Sequence, residues 1–505
     1  MITSYQFTIR YIFLTSEIAF ALYYYLLLLP RIKKESKKLP KNNPHTYRGY
    51  EKDRYKLYRR ILSRIEDTCS FLNKPFYDGV ERFLHAWMVN VDCKDKETEK
   101  KGKYNYDDLS NSDIISKKSN YDYEFTDIYK ENIEELMTWA FFSKHLEDLE
   151  PWEKEDMQKM HDYAKDKNIL IHEGKKEGLK ANAYSFQDMR PIYRPLFVYL
   201  LMHLVYRVGA CFLFIIGFRR HTSSTGLTYW FHQGCPCVNN LYPDKDQNQF
   251  LPMLFFHGIA PGGVSLYSPM LYFGFMKMFR MHHDGHQPPV FLFENPNISY
   301  QLHFHALTEQ QTVQGVVEAL KLSLPPRYEK VSLIGHSFGS AQLTWLLHGM
   351  PEYIAQLVLL DPVSILLSEP DVLSNFFHNS QNVNNSYTEQ DRPQFQQSTK
   401  FQQKKIQLLA STEISIEYYL RNKFAWFNSE LWLEDIPPHI NVLILLSGQD
   451  CIVPTAKVKR EVIVKNLDHV EMHVWEECEH GDCIIKSKYW KDIFSRMVRQ
   501  QSSST

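Results

Sequence analysis

From about residue 227 to the end, short unbroken apolar runs alternate with stretches whose apolar residues recur every three or four positions. The runs LPMLFFH (251–257), PVFLFE (289–294), KVSLIGH (330–336), AQLVLLD (355–361), NVLILLSG (441–448) and HVEMHVWE (469–476) predict strands. The stretches 308–323, 339–349, 455–466 and 487–500 predict helices between them. Strands alternating with helices predict an α/β domain built on a mainly parallel sheet with helices on both faces. One long interruption, 362–436, combines an Asn/Gln-rich tract (381–404) with apolar helical sequence such as ISIEYYLRNKFAWF, enough chain to form a lid over a site.

The amino-terminal part has a different texture. Residues 11–29 form an apolar run interrupted by Glu17 and small polar residues, closed by Pro30 and followed by the basic segment RIKKESKKLPK. At 1.5 Å per residue such a run nearly crosses a bilayer core, and the basic flank fits an uncleaved anchor better than a signal peptide. Residues 1–30 are therefore expected to be a membrane anchor, with Arg31, Lys33, Lys34, Lys37, Lys38 and Lys41 on the cytosolic side. A second apolar run, 196–218, is long enough to span but contains His203 and Arg207. An intramembrane Arg is costly unless paired or snorkelling, so spanning, membrane-lying and buried-core readings all stay open. Single-pass and two-pass arrangements both follow, in the endoplasmic reticulum or another internal membrane. Sequons at Asn297 and Asn384 bear on the question only if the second run spans. Between the runs, 51–90 and 124–146 read as helices, the latter with Ile128, Ile133, Leu136, Met137, Ala140 and Phe141 on one stripe that suits core packing. Residues 92–123, rich in Lys, Asp, Asn and Ser without periodicity, read as an exposed loop. The expected organisation is thus an anchor (1–30), a helical region (31–226) and the α/β domain (227–505).

Composition narrows the partners more than the chemistry. With 505 residues the chain has length for two or three domains, and 58 basic against 59 acidic side chains give a net charge of −1, which argues against nucleic acid. The 31 Tyr and 32 Phe suit an apolar pocket or a membrane interface as well as a core. Eight scattered cysteines do not make a disulfide framework. Cys235 and Cys237 with His232 offer three ligands, but no second pair follows at zinc-site spacing, so no metal is expected. Cys451 and Cys478 both fall near the candidate catalytic loops, which leaves a bridge between them open.

The candidate chemistry lies at the ends of the predicted strands. Gly335-His336-Ser337-Phe338-Gly339 joins a strand to a helix and matches the G-x-S-x-G turn, in which a serine sits on a strained corner with its hydroxyl exposed. The two glycines permit the tight turn and close strand–helix approach, and Ser340 and Ala341 keep the following helix slim. A serine needs a general base oriented by an acid. Asp450, at the strand end in LLSGQD, and His480, in WEECEHGD after the last strand, follow in the order Ser, Asp, His. Asp361, in VLLDP, is an alternative acid at the end of the strand next to the nucleophile. An oxyanion formed at Ser337 needs two backbone donors; Phe338 N–H and Ile259 N–H, in His257-Gly258-Ile259, are the natural pair, with Ala260 as runner-up for the latter.

Taken together, HGI, GHSFG, the DP after the next strand, GQDCIVP and EHGD, spread over about 245–500, resemble the AB-hydrolase-1 branch of the α/β-hydrolase superfamily, which includes esterases, lipases and peptidases. The arrangement further resembles membrane-anchored eukaryotic hydrolases with helices ahead of the catalytic domain. The resemblance implies the α/β-hydrolase fold and, because related dehalogenases and epoxide hydrolases carry Asp where this chain has Ser337, cleavage of a carboxylic ester through an acyl-enzyme without a cofactor. A membrane anchor, a lid and abundant aromatics favour an apolar acyl ester or lipid as substrate. An acyltransferase or thioesterase would use the same triad, and a non-catalytic membrane scaffold could keep the same fold.

Overall fold

The computed structural model describes residues 2–37, 54–90, 128–169, 171–234, 251–282, 287–326, 328–377, 402 and 406–502. The stretch 92–123, nearly all of the Asn/Gln-rich tract, Cys235, Cys237 and Asn384 lie outside the described residues. The chain divides into two compact units, Met1–Lys38 with Asp188–His378 and Gln394–Thr505, and Leu39–Gln187 with Asn379–Pro393.

The second unit is mainly helical. Helices Arg54–Phe71, Phe76–Trp87, Lys130–Met137 and Pro151–Asp166 accompany an antiparallel ribbon in which Met88–Asn90 pairs with Leu179–Ala181. The stripe Ile133, Leu136, Met137, Ala140 and Phe141 is buried, as a core-packing stripe should be.

The first unit is organised by an eight-stranded sheet: β1 (Arg219–Thr222), β2 (Thr228–His232), β3 (Met253–Phe256), β4 (Val290–Phe293), β5 (Val331–His336), β6 (Ile354–Leu360), β7 (Asn441–Gln449) and β8 (Val470–Glu479). Their spatial order is β1-β2-β4-β3-β5-β6-β7-β8. The pairs from β4 onward are parallel, while β1 with β2 and β2 with β4 are antiparallel. This is the α/β-hydrolase fold. Its longer helices are α1 (Ile2–Tyr23), α2 (Leu29–Ser36), α3 (Leu196–Ile215), α4 (Glu309–Ser323), α5 (Gly339–Gly349), α6 (Ile414–Asn422), α7 (Thr455–Lys465) and α8 (Trp490–Ser502).

Alternation along the strands makes two cores. Leu254 and Phe256 of β3 point into one with Val316 of α4, Leu346 of α5 and Val458 of α7; Met253 and Phe255 point into the other with Leu213 of α3 and Phe494 of α8. Each such fully buried large side chain contributes about 1.5–3 kcal/mol. The central strands β5 and β6 are covered on both faces, which is why they read as unbroken apolar runs. The unit takes in residues from Asp188 onward, and within it β1, ahead of residue 227, pairs with β2 at the antiparallel edge of the sheet. Cys451 and Cys478 are buried free thiols.

The amino-terminal helix runs on past Pro30 into the basic segment. A π turn, Tyr24–Leu28, joins α1 to α2 and puts Pro30 in the first turn of α2, where its missing N–H is tolerated. Helices Arg10–Ser36 and Leu196–Ile215 are each long and apolar enough to cross a membrane. Both rest on the hydrolase unit along one side. Tyr24, Leu28 and Ile32 are buried with Met189, Ile414 and Tyr418; on α3, Tyr199, Gly209 and Leu213 face inward.

Candidate active site

The nucleophile candidate sits where β5 turns into α5. Ser337 takes φ = 51°, a left-handed conformation that costs a non-glycine residue roughly 1–2 kcal/mol, and its N–H donates to Leu360 O at 2.9 Å. The flanking glycines leave little room for a side chain, Gly339 against backbone and Gly335 against a side chain. A Cβ on Gly339 would lie 2.2 Å from Phe256 O, and one on Gly335 would lie 2.7 Å from a Leu343 methyl. Ser340 ties the corner down: its hydroxyl donates to Ser337 O at 2.6 Å and accepts from Ser364 N at 3.1 Å.

Three side chains meet at this corner. His480 Nε2 is 2.9 Å from Ser337 Oγ, and His480 Nδ1 is 2.6 Å from Asp450 Oδ2. The other Asp450 oxygen accepts from Ile452 N and Val453 N at 2.7 and 2.8 Å, so the turn after β7 fixes the carboxylate's orientation. Burial alone would lower the His480 pKa, but the charge of Asp450, its hydrogen bond and the nearby Asp361 outweigh it and raise the imidazole above its ordinary value.

Asp361 is brought close but holds different partners. It is fully buried, accepts from Ser447 N at 2.8 Å, Ser447 Oγ at 2.9 Å and Gly481 N at 3.0 Å, and makes no hydrogen bond to the His480 ring. It thus fastens the backbone next to His480. Burial, followed by the charge of Asp450, pushes its pKa up.

The loop that carries the candidate oxyanion donor Ile259 follows β3. Gly258 leaves no room for a side chain, since a Cβ there would stand 2.9 Å from Ser337 Cβ. His257 donates from Nδ1 to Gly258 O at 2.7 Å while Nε2 accepts from Asn295 N at 3.0 Å, so one buried neutral imidazole sets the loop's peptide orientation. Ala260 N–H is engaged with Ile298 O at 3.1 Å, whereas among the described residues neither Ile259 N–H nor Phe338 N–H finds a protein acceptor. Ile259 and Phe338 pack in one small cluster with Ile298, Ala306 and Tyr419.

A second network under the triad has no signature in the sequence. Tyr267 OH accepts from Gly258 N at 2.9 Å and donates to His336 Nδ1 at 2.9 Å; His336 Nε2 lies 4.0 Å from Asp361 Oδ2. Burial, then the neighbouring His480 and His257, hold the His336 pKa well down, so its ring stays neutral. Tyr267 thus ties the loop after β3 to His336 at the end of β5, while His336 Nε2 makes no hydrogen bond to Asp361.

The site is roofed from the segment after β6. Tyr419 of α6 packs edge-on against Phe338 and Phe424 just beyond it packs tilted against the same ring, at centroid distances of 5.7 and 5.2 Å. Glu413 caps α6 by accepting from Ser415 N and Ile416 N, and it also accepts from Tyr199 OH of α3 at 3.0 Å. Arg194, ahead of α3, donates to Leu408 O and Thr412 O at 2.6 and 2.7 Å. The roof is thus pinned to the root of α3.

No protein-family model matches the sequence, and no curated protein matches it significantly. Among solved structures, a carboxylesterase of the ammonia-oxidizing thaumarchaeon Nitrososphaera gargenis aligns over 57% of this chain and 100% of its own, at 14% identity and a TM-score of 0.37. The carboxylesterase CesB of Bacillus subtilis aligns over 61% and 99%, at 13% identity and a TM-score of 0.36. A meta-cleavage product hydrolase of Pseudomonas fluorescens aligns over 57% and 98%, at 13% identity and a TM-score of 0.35.

Proposed function

We propose that this protein is a serine hydrolase that cleaves carboxylic esters of apolar acyl groups, with Ser337 as nucleophile, His480 as general base and acid, and Asp450 as the orienting acid. The observation that carries the reading is the continuous hydrogen-bonded line Asp450, His480, Ser337 at a strained strand-to-helix corner. His480 Nε2 takes the Ser337 proton as Oγ attacks the ester carbonyl, and the resulting oxyanion sits between Phe338 N–H and Ile259 N–H. The alcohol leaves with the proton from His480, giving the acyl-Ser337 ester. Water, deprotonated in turn by His480, then releases the acid. Asp450 keeps the proton on Nδ1 and stabilises the imidazolium.

The apolar walls around Phe338, made by Ile259, Tyr419, Leu420 and Phe424, favour a fatty acyl chain over a charged one, and the apolar outer faces of α1 and α3 favour a lipid ester met at a membrane. Transfer of the acyl group to an alcohol or amine uses the same first half-reaction. The test is covalent labelling by a fluorophosphonate, followed by turnover of a soluble short-chain ester. Labelling and turnover that vanish in Ser337→Ala support the reading; a folded wild type that neither labels nor turns over the ester refutes it.

A further inference from the structure

Helices α1 and α3 carry two kinds of apolar surface, and only one of them is used by the fold. Along the continuous helix from α1 into α2, Tyr24, Leu28 and Ile32 face the hydrolase unit, while the remaining sides carry apolar residues that are about half or more exposed, among them Tyr11, Leu14, Ile18, Leu22, Tyr25 and Leu26. On α3 the exposed stripe is Phe197, Leu200, Leu201, Leu204, Val208 and Ile215. The inward side of α3 is locked along its length. Glu17 accepts from Leu196 N and Phe197 N at its start, Tyr206 OH donates to Glu294 at 2.8 Å, and a Cβ on Gly209 would collide with Ser265. With that side committed, α3 lies along the unit and does not leave it to cross a bilayer. The same holds for α1. Its docked part, where Tyr24, Leu28 and Ile32 are buried, runs on into α2 along the same unit.

Basic groups accompany these stripes. Lys33, Lys34, Lys37 and Arg190 line a basin at the α2 end together with Asp188 and Met189. Arg207 is exposed on α3, and Arg219 stands over the Phe214 ring at 4.4 Å at the end of that helix. An apolar strip with cationic groups along its margin matches acyl chains beside phosphate headgroups, and it does not match a second copy of this chain, which would set like charges against each other.

We infer that α1 and α3 lie in the plane of one leaflet of an anionic membrane, so that the protein is seated on the bilayer and does not span it. This rests on the proposed action at a membrane and defines its geometry. Lys33, Lys34 and the catalytic unit are then on the same side. The roof helix α6 lies between α2 and the site, touching Tyr24 and Ile32 through Ile414 and Tyr418, and Phe338 through Tyr419. One helix diameter, about 10 Å, separates the leaflet-facing helix from the oxyanion residue.

The test uses the full chain with vesicles of phosphatidylcholine, with and without phosphatidylserine, followed by flotation. Binding to the anionic vesicles is expected to fall about a hundredfold or more in Leu200→Glu/Leu204→Glu. In Lys33→Gln/Lys34→Gln it falls roughly 25-fold. Turnover of a soluble ester serves as the fold control in both. Single fluorescent labels at positions 200, 204, 208, 211 and 215, read with depth-dependent lipid quenchers, should report one shallow depth, whereas a span would step through about 22 Å. A graded depth, binding that the glutamates leave intact, or a dimer that they dissociate would each overturn the inference. So would absence of vesicle binding in a protein that still cleaves the soluble ester, and that result would leave the catalytic reading standing.

Discussion

Two buried aspartates stand near His480, and neutralising each in turn should separate their duties. In Asp450→Asn the amide keeps the size of the carboxylate and can still accept from Ile452 N and Val453 N through its oxygen. That leaves the NH2 facing His480 Nδ1 at the present 2.6 Å position of Oδ2, donor against donor. The imidazole escapes by moving its proton to Nε2, where it points at Ser337 Oγ and can no longer accept the hydroxyl proton. Loss of the base tautomer costs about 10⁴-fold in kcat, or about 5 kcal/mol of transition-state stabilisation, with KM little changed. In Asp361→Asn the same substitution confronts Gly481 N and Ser447 Oγ with an amide, leaving a buried donor without an acceptor at a cost of about 1–3 kcal/mol in stability. The His480 loop loosens, but the tautomer survives, so kcat should fall by roughly 10- to 100-fold. The assay is steady-state turnover of a soluble ester beside thermal unfolding of both variants. A fall near 10⁴-fold in Asp361→Asn with Asp450→Asn close to wild type would refute the assignment and make Asp361 the orienting acid.

Three further outcomes follow from the same geometry. Because Asp450, with Asp361, raises the His480 pKa against the effect of burial, and catalysis needs the neutral ring, kcat/KM should be lost as pH falls through a value above the ordinary histidine pKa of about 6.5; a pH–rate profile with its acid limb at or below 6.5 contradicts this. Ser337→Gly should abolish turnover yet stabilise the protein by about 1 kcal/mol, seen as a higher Tm, since it removes a left-handed non-glycine residue; a lower Tm would show that the corner is unstrained. Tyr267→Phe deprives Gly258 N–H of its acceptor and His336 of its donor, so kcat should fall about tenfold with KM held, while substitution at exposed Tyr23 changes neither.

The parts of the fold that lay open in the sequence are those where local pattern and tertiary role coincide. The runs that became β3 through β7 are apolar because parallel strands are covered on both faces, whereas β8 is a half-buried edge strand that keeps polar residues; each candidate catalytic residue falls at a strand end beside turn-forming neighbours. Strands β1 and β2 were not legible as such. β1, RRHT, is an exposed edge that buries nothing and so lacks an apolar signature. The link from Gly258 through Tyr267 to His336 was equally hidden, because it joins residues from separate segments and no spacing records that meeting. Even the choice between Asp450 and Asp361 could not be read from strand ends alone, since both occupy one; it depends on which carboxylate the His480 ring faces.

The apolar helices show the opposite failure, in which the signal is strong and its meaning ambiguous. Hydropathy averages around a helix, so a segment apolar on every side scores the same whether lipid surrounds it or a protein covers half of it. The polar interruptions decide between the two. Glu17, which looks costly within an anchor, satisfies the first two N–H groups of α3 and thereby marks the point where the two helices meet. Arg207 stays on the exposed side of α3, where a long side chain can reach headgroups from a helix lying flat but would sit near mid-bilayer in an upright one. The same two residues that made a simple span expensive are the ones that the proposed seated arrangement accommodates, and in that arrangement the roof over Phe338 would lie beside the membrane surface.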